Sequence, residues 1–247
     1  MMSPNLFEYQ SLKPKKAIRR KELKPINNLK EIFRDIRDYF AGNVTGITRD
    51  EKIAQNIMRL LFCKIYDEQN NKDILEFSNR LDEDLKTFNS RFDILFDLVK
   101  KSYSEIFEKN EKIEVEGKAL SYVVSKLEKY SILDADRDVI ADAFEELIGR
   151  AFRGGEGQFF TPRNVVQMMI DVLQPSSNHK IIDPACGSGG FLAYALKYLI
   201  KKKSKNYLIN GIDKDNFLSR IAKTYLSLIG GKQFDIFCEN SLETPIK

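Results

Sequence analysis

From Leu29 onward, apolar side chains recur at spacings of three and four residues. Leu29, Ile32, Phe33, Ile36, Tyr39 and Phe40 fall on one helical face, and Gly42 and Gly46 interrupt the pattern. Thr48 with Glu51 three residues on is a capping-box pattern that opens a helix through Ile53, Ile57, Leu60, Leu61 and Ile65. Leu81, Leu85, Phe88, Phe92, Leu95, Phe96 and Val99 predict a third helix, broken near Asn89-Ser90. Asp136 to Phe152 predicts a fourth, with Val139, Ile140, Ala143, Phe144, Leu147 and Ile148 turned inward. Strand patterns are almost absent before residue 178. Residues 28–152 therefore read as a helical domain, and these aromatic and aliphatic stripes read as its core.

The pattern then changes. Arg153-Gly154-Gly155-Glu156-Gly157 marks a junction, and Pro162 suits the first turn of a helix. A helix over Arg163–Leu173 is followed by a strand (Lys180–Asp183), a helix (Gly189–Lys203), a strand (Tyr207–Asp213), a helix (Asp215–Ile229) and a strand (Phe234–Cys238). Such alternation with short loops predicts a parallel, doubly wound sheet for residues 153–247. Ahead of both domains, residues 1–27 carry Pro4, Pro14 and Pro25 with little periodicity, and read as an arm.

The chain of 247 residues is 43% hydrophobic and 31% charged, which suits a globular protein with one large domain or two small ones. No apolar run approaches the roughly 20 residues of a membrane span, and the Lys-rich stretch from Leu12 to Leu23 lacks the apolar centre of a signal peptide. Cys63, Cys186 and Cys238 are too few and too scattered for a disulfide framework or a Cys-rich zinc site, so a reducing cytoplasm is the simplest compartment. The net charge of +4 is unevenly placed. Residues 11–30 hold Lys13, Lys15, Lys16, Arg19, Arg20, Lys21, Lys24 and Lys30 against Glu22 alone. Such an arm can neutralise phosphates; a solvated leader would have the same composition.

Chemistry concentrates at Ile181-Ile182-Asp183-Pro184-Ala185-Cys186-Gly187-Ser188-Gly189-Gly190-Phe191. An apolar pair ends in Asp-Pro, three glycines and a serine follow, and an apolar helical run begins at Phe191. That is strand, tight turn, helix. Glycine lets the backbone pass close to a ligand, and the first turn of the next helix offers N–H groups to an anion. In parallel sheets ligands sit at the carboxyl ends of the strands, where Asp183, Asp213 and the Asn240-Ser241 turn all fall.

The spacing Asp-Pro-x-x-Gly-x-Gly-Gly-Phe differs from the dinucleotide pattern Gly-x-Gly-x-x-Gly. It resembles the S-adenosylmethionine (SAM) loop of amino-group DNA methyltransferases, above all the modification subunits of type I restriction-modification systems in the N-6 adenine-specific DNA methylase family. Upstream, Gly157-Gln158-Phe159-Phe160-Thr161-Pro162-Arg163 is similar to the family's other cofactor signature. The resemblance implies an α/β chain: an amino-terminal α-helical domain, then a partial Rossmann-like SAM-dependent methyltransferase fold.

It also implies SAM as cofactor and a set of binding residues. Gln158, Phe159, Phe160, Thr161, Pro162 and Arg163 would fold over SAM, with Thr161 donating its hydroxyl. The turn Asp183, Pro184, Ala185, Cys186, Gly187, Ser188, Gly189, Gly190 and Phe191 would take the methionine end, its carboxylate on backbone N–H groups. Asp183 would attract the amino or sulfonium group, or would cap the turn. Asp213 would accept the ribose hydroxyls, and Asn240 and Ser241 would lie near the adenine or form a turn. Cys186 has no partner for nucleophilic work: the single histidine, His179, lies at the other end of the strand and reads as a solvated loop residue.

One part of the pattern is missing. The family's catalytic signature is Asn/Asp-Pro-Pro-aromatic, and this sequence contains no Pro-Pro. The chain therefore reads as the amino-terminal part of a longer enzyme, holding the SAM pocket without the residues that align the target amino group. The whole enzyme would methylate the 6-amino group of adenine in DNA, with a specificity subunit and a restriction subunit as partners. Two rivals stand beside it: a non-catalytic helical interaction module with a vestigial cofactor fold, and a methyltransferase acting on RNA or protein.

Overall fold

The computed structural model describes residues 18–47, 49–81, 83–151 and 161–243, with no side-chain description for 150 and 151. The chain divides into two compact units. The first takes the described residues of 1–27, 32–102 and 109–135, and the second those of 28–31, 103–108 and 136–247.

The first unit is built from most of α1 (Leu29–Asn43) and from α2 (Asp50–Asn70), α3 (Leu85–Ser102) and α4 (Gly117–Leu127). Two-residue strands β1 (Lys24–Pro25) and β2 (Tyr130–Ser131) pair in parallel. α2 is buried along most of its length, with Ile53, Ile57, Leu60, Leu61 and Phe62 all nearly inaccessible. Its last turns bury charge as well. Glu68 is fully enclosed and accepts from Arg20 Nη1 at 2.8 Å, Ser131 Oγ at 2.8 Å and the Ile132 N–H at 3.0 Å, while Lys64 Nζ lies 3.5 Å away. Asp67 accepts from the N–H groups of Glu76 and Phe77.

Residues 18–27 are not part of a free arm: Ile18 and Ile26 are buried, Arg20 pairs with Glu68, and Lys24–Pro25 joins β2. Lys13, Lys15 and Lys16 lie outside the described residues. The third helix is unbroken at Asn89-Ser90, because the Asn89 side chain accepts from the Gly117 N–H instead of competing for its own backbone. It starts at Leu85, after Asp84 accepts the Lys86 and Thr87 N–H groups, which leaves Leu81 exposed. The capping pattern at Thr48 falls on an undescribed residue; Arg49 stands at the cap of α2 without a side-chain bond.

The second unit holds α5 (Arg137–Ala151), α6 (Arg163–Leu173), β3 (Lys180–Asp183), α7 (Gly190–Lys201), β4 (Leu208–Asp213), α8 (Asn216–Leu228) and β5 (Phe234–Cys238). The three strands form one parallel sheet in the order β3-β4-β5, with Asp183 opposite Gly211 and Asp213 opposite Cys238. Residues 136–151, expected at the end of the helical domain, group with the strands. α5 packs with the sheet unit, where Phe144 stacks on Tyr225 of α8 at 4.8 Å between ring centroids.

Because the strands follow one another in chain order, right-handed crossovers place α7 and α8 on one face. Gly211 points at Leu192 of α7 and Ile236 from that face. Ile182 and Phe237, on the alternate positions, are 45% and 44% exposed. The described sheet is thus wound on one side only. Winding on both sides requires the strand order to reverse, and no described strand lies on the other edge of β3.

Candidate functional site

Parallel pairing brings the carboxyl ends of β3, β4 and β5 to one edge. β3 ends in Asp183, half-buried, whose Oδ1 accepts the Ala185 N–H at 3.1 Å. Burial, and next the charge of Asp213, hold the Asp183 carboxyl above its ordinary range, against the pull of that hydrogen bond. β4 ends in Asp213, whose Oδ2 accepts the Gly187 N–H at 2.8 Å and whose Oδ1 accepts the Asp215 N–H at 2.9 Å. Asp215 in turn caps α8 by accepting the Leu218 N–H. One carboxylate therefore ties the glycine loop to the start of the next helix. Each of its oxygens retains a second lone pair for a ligand.

The loop is shaped by two close approaches. Gly189 sits in the left-handed region at φ +83°, and a Cβ there would lie 2.9 Å from the Cβ of Ala222 on α8. Gly211 leaves no room either: a Cβ would lie 3.0 Å from Cys186 Sγ. By contrast, a Cβ at Gly187 or Gly190 would meet nothing within 4 Å. The loop is packed on its inner side and open on its outer side. α7 begins there with no acidic side chain in its first turn, so its positive end is not neutralised from within the helix.

Cys186 is buried, and its N–H donates to the Ile212 carbonyl at 2.9 Å. Burial, with Asp183 and Asp213 nearby, pushes its thiol up to about 12, so it stays protonated and is no nucleophile at neutral pH. Asn240 is exposed and accepts the Leu242 N–H through its side chain, a turn-forming bond next to Ser241. His179 lies at the amino end of β3, bonded to Ser176.

Of the upstream segment, Gln158, Phe159 and Phe160 lie outside the described residues. Thr161 is exposed, and Pro162 accepts the Val165 and Val166 N–H groups to start α6. Arg163, the first residue of α6, gives Nη1 to Asp142 at 2.6 Å and Nε to Glu145, both on α5. Those acids were not singled out in the sequence, although Asp138, Asp142 and Glu145 recur at helical spacing beside the apolar stripe of α5. A shallow surface lined by Tyr207, Lys232, Gln233 and Asp235 lies at the amino ends of β4 and β5, away from this cluster. Among the described residues no group of three metal-ligating side chains gathers, and no helix is long and apolar enough to cross a membrane.

Against this geometry, residues 135–247 match the family model described as N-6 DNA Methylase. The type I restriction enzyme EcoEI methylase subunit of Escherichia coli is 29% identical over 141 residues, 53% of this chain and 29% of its own length. The type I restriction enzyme MjaIX methylase subunit of Methanocaldococcus jannaschii is 34% identical over 129 residues, 49% of this chain and 23% of its own. The chain thus spans less than a third of these curated relatives. The solved type I restriction-modification system methyltransferase subunit of Streptococcus thermophilus shares the fold, with a TM-score of 0.58 over 87% of this chain and 59% of that one at 14% identity. The sheet-bearing part of the chain, residues 135–247, is thus similar to the N-6 DNA methylase family.

Proposed function

We propose that this chain is the SAM-binding part of a type I modification subunit, and that the whole protein transfers a methyl group from SAM to the 6-amino group of adenine in DNA. The observation that carries the reading is the joining of Asp183, the open outer side of Gly187–Gly190 and Asp213 at one sheet edge, within the stretch matched by the methylase family. A zwitterionic, nucleoside-containing ligand suits that edge. The first-turn N–H groups of α7 would take the carboxylate. Asp183, a carboxylate made costly by burial beside Asp213, is relieved by a cationic group, as the amino or sulfonium group of SAM would be. Asp213 would accept the ribose hydroxyls while still holding Gly187. Thr161 and the aromatic residues before it would cover the ligand, and the turn at Asn240-Ser241 would border the adenine.

SAM, once held, supplies an electrophilic methyl group. This chain's residues bind and orient it and keep Cys186 out of the reaction as a neutral thiol. Aligning the target nitrogen requires the base to leave the duplex, and the Asn/Asp-Pro-Pro-aromatic group suited to that is absent from the sequence. On this reading that group, the specificity subunit and the restriction subunit come from outside the chain, the protein works in the cytoplasm, and the chain alone does not methylate DNA. The missing motif is also what favours the rival, a non-catalytic module with a vestigial fold.

Calorimetric titration with SAM separates the two. The chain should bind SAM, Asp213→Asn should bind more weakly and Asp213→Ala more weakly still. A folded chain that takes no SAM would support the rival.

A further inference from the structure

The helices behind the candidate site are joined by a polar chain that no expected role accounts for. Arg163 is bonded to Asp142 and Glu145 of α5. The second oxygen of Glu145 accepts the Tyr225 hydroxyl at 2.6 Å. Tyr225 is buried on α8 and stacked on Phe144 of α5, so Glu145 is held from both sides. One turn earlier on α5, Lys197 of α7 pairs with Asp138 and lies over the Tyr194 ring at 5.0 Å. The acids of α5 thus meet side chains from α6, α7 and α8.

The connection to the site runs through α8. Ala222 is the residue against which Gly189 is pressed, and Tyr225 stands three residues later, on the same side of the helix. One face of α8 therefore locates the glycine loop directly and Arg163 through Glu145. Arg163 immediately follows Thr161–Pro162, whose helix start depends on the Pro162 carbonyl.

We propose that Arg163 is a positioning residue for SAM: it does not touch the ligand but fixes the Thr161–Pro162 turn in register with the glycine loop, by gripping Asp142 and Glu145. The inference rests on the SAM reading above. A guanidinium suits the task because it can serve two carboxylates at once in a fixed plane. Its exposure to solvent leaves it little to contribute to stability, so binding and folding should separate.

The test compares Arg163→Met and Arg163→Lys with the unaltered chain, by SAM titration, thermal melting and hydrogen exchange at the Val165 and Val166 amides. Arg163→Met should raise the Kd for SAM about tenfold, equivalent to about 1.4 kcal/mol, while the melting temperature and exchange in α7 and α8 stay put. Exchange at Val165 and Val166 should quicken. Arg163→Lys, which keeps the charge, should recover part of the affinity. Unchanged SAM affinity in Arg163→Met overturns the proposal. So does a loss of affinity matched by lower melting and faster exchange in α7 and α8, which would make the residue merely structural. If the unaltered chain binds no SAM, the reading of the site fails. The tether is then judged by exchange alone, and unchanged Val165 and Val166 exchange in Arg163→Met overturns it.

Discussion

Adding one methyl group to Gly189 or to its neighbour Gly190 should have opposite consequences. In Gly189→Ala the backbone is held at φ +83°, where an L side chain costs about 1–2 kcal/mol. The new Cβ also falls 2.9 Å from the Cβ and 3.1 Å from the Cα of Ala222, well inside the ordinary contact of about 3.5–4.0 Å. Neither partner is a flexible side-chain end, so α8 must move, at about 1–3 kcal/mol for overpacking. The total, about 2–5 kcal/mol, is a large share of a typical domain stability of about 5–15 kcal/mol. Gly190 is the first residue of α7, with nothing within 4 Å of the added carbon and no positive φ. Gly190→Ala should be neutral or stabilising by up to about 1 kcal/mol. It should nonetheless weaken SAM binding, because the methyl group occupies the open outer side of the loop. Urea unfolding, with hydrogen exchange in α7 and α8 to assign the transition to the second unit, gives the stabilities; titration gives the affinities. Equal stability losses in the two variants, or a loss below about 1 kcal/mol for Gly189→Ala, would refute the packing argument.

Three further outcomes follow from the same geometry. Alkylation at pH 8 should label exposed Cys238 first. Cys186, with its thiol at about 12, should react about a thousandfold more slowly than a free thiol of pKa about 8.5, until the protein is unfolded; equal labelling by mass spectrometry would contradict its burial. Asp183 has a raised folded-state pKa, so its contribution to stability is present below the unfolded value of about 3.9 and is lost as pH rises through the folded one. Asp183→Asn should therefore be more stable than the parent at pH 7 and match it near pH 3.5, a difference that melting curves across that window would detect. Glu68→Ala should destabilise the first unit by about 3–5 kcal/mol, because it strands the buried Lys64 ammonium and frees Arg20 and Ser131; a urea midpoint unchanged for α2 exchange would count against that network.

What the sequence revealed and what it hid follow one physical division. β3 and β5 have the bounds expected from short apolar runs closed by polar turns, and Asp183, Gly187–Gly190 and Asp213 were legible because strand ends in a parallel sheet share an edge. α4 escaped notice although Leu120, Val123, Val124 and Leu127 are spaced for a helix; it is short and follows the strongly charged stretch 108–118. Residues 18–27 looked like a free arm because their partners, Asp73, Glu68 and β2, lie far along the chain. Arg163 was read with its neighbours as a cofactor contact, and only tertiary packing reveals the α5 acids that hold it. Local periodicity reports which face is apolar; it carries no record of which distant carboxylate an arginine will meet.

The most direct test of the central claim is a titration of the isotopically labelled chain with SAM, followed by amide NMR. The account predicts that the resonances of Gly187 to Phe191 and of Asp213 to Asp215 shift together and saturate, while those of α2 stay still. A folded chain whose glycine-loop and Asp213 amides do not move as SAM is added, or that shifts only elsewhere, would contradict it.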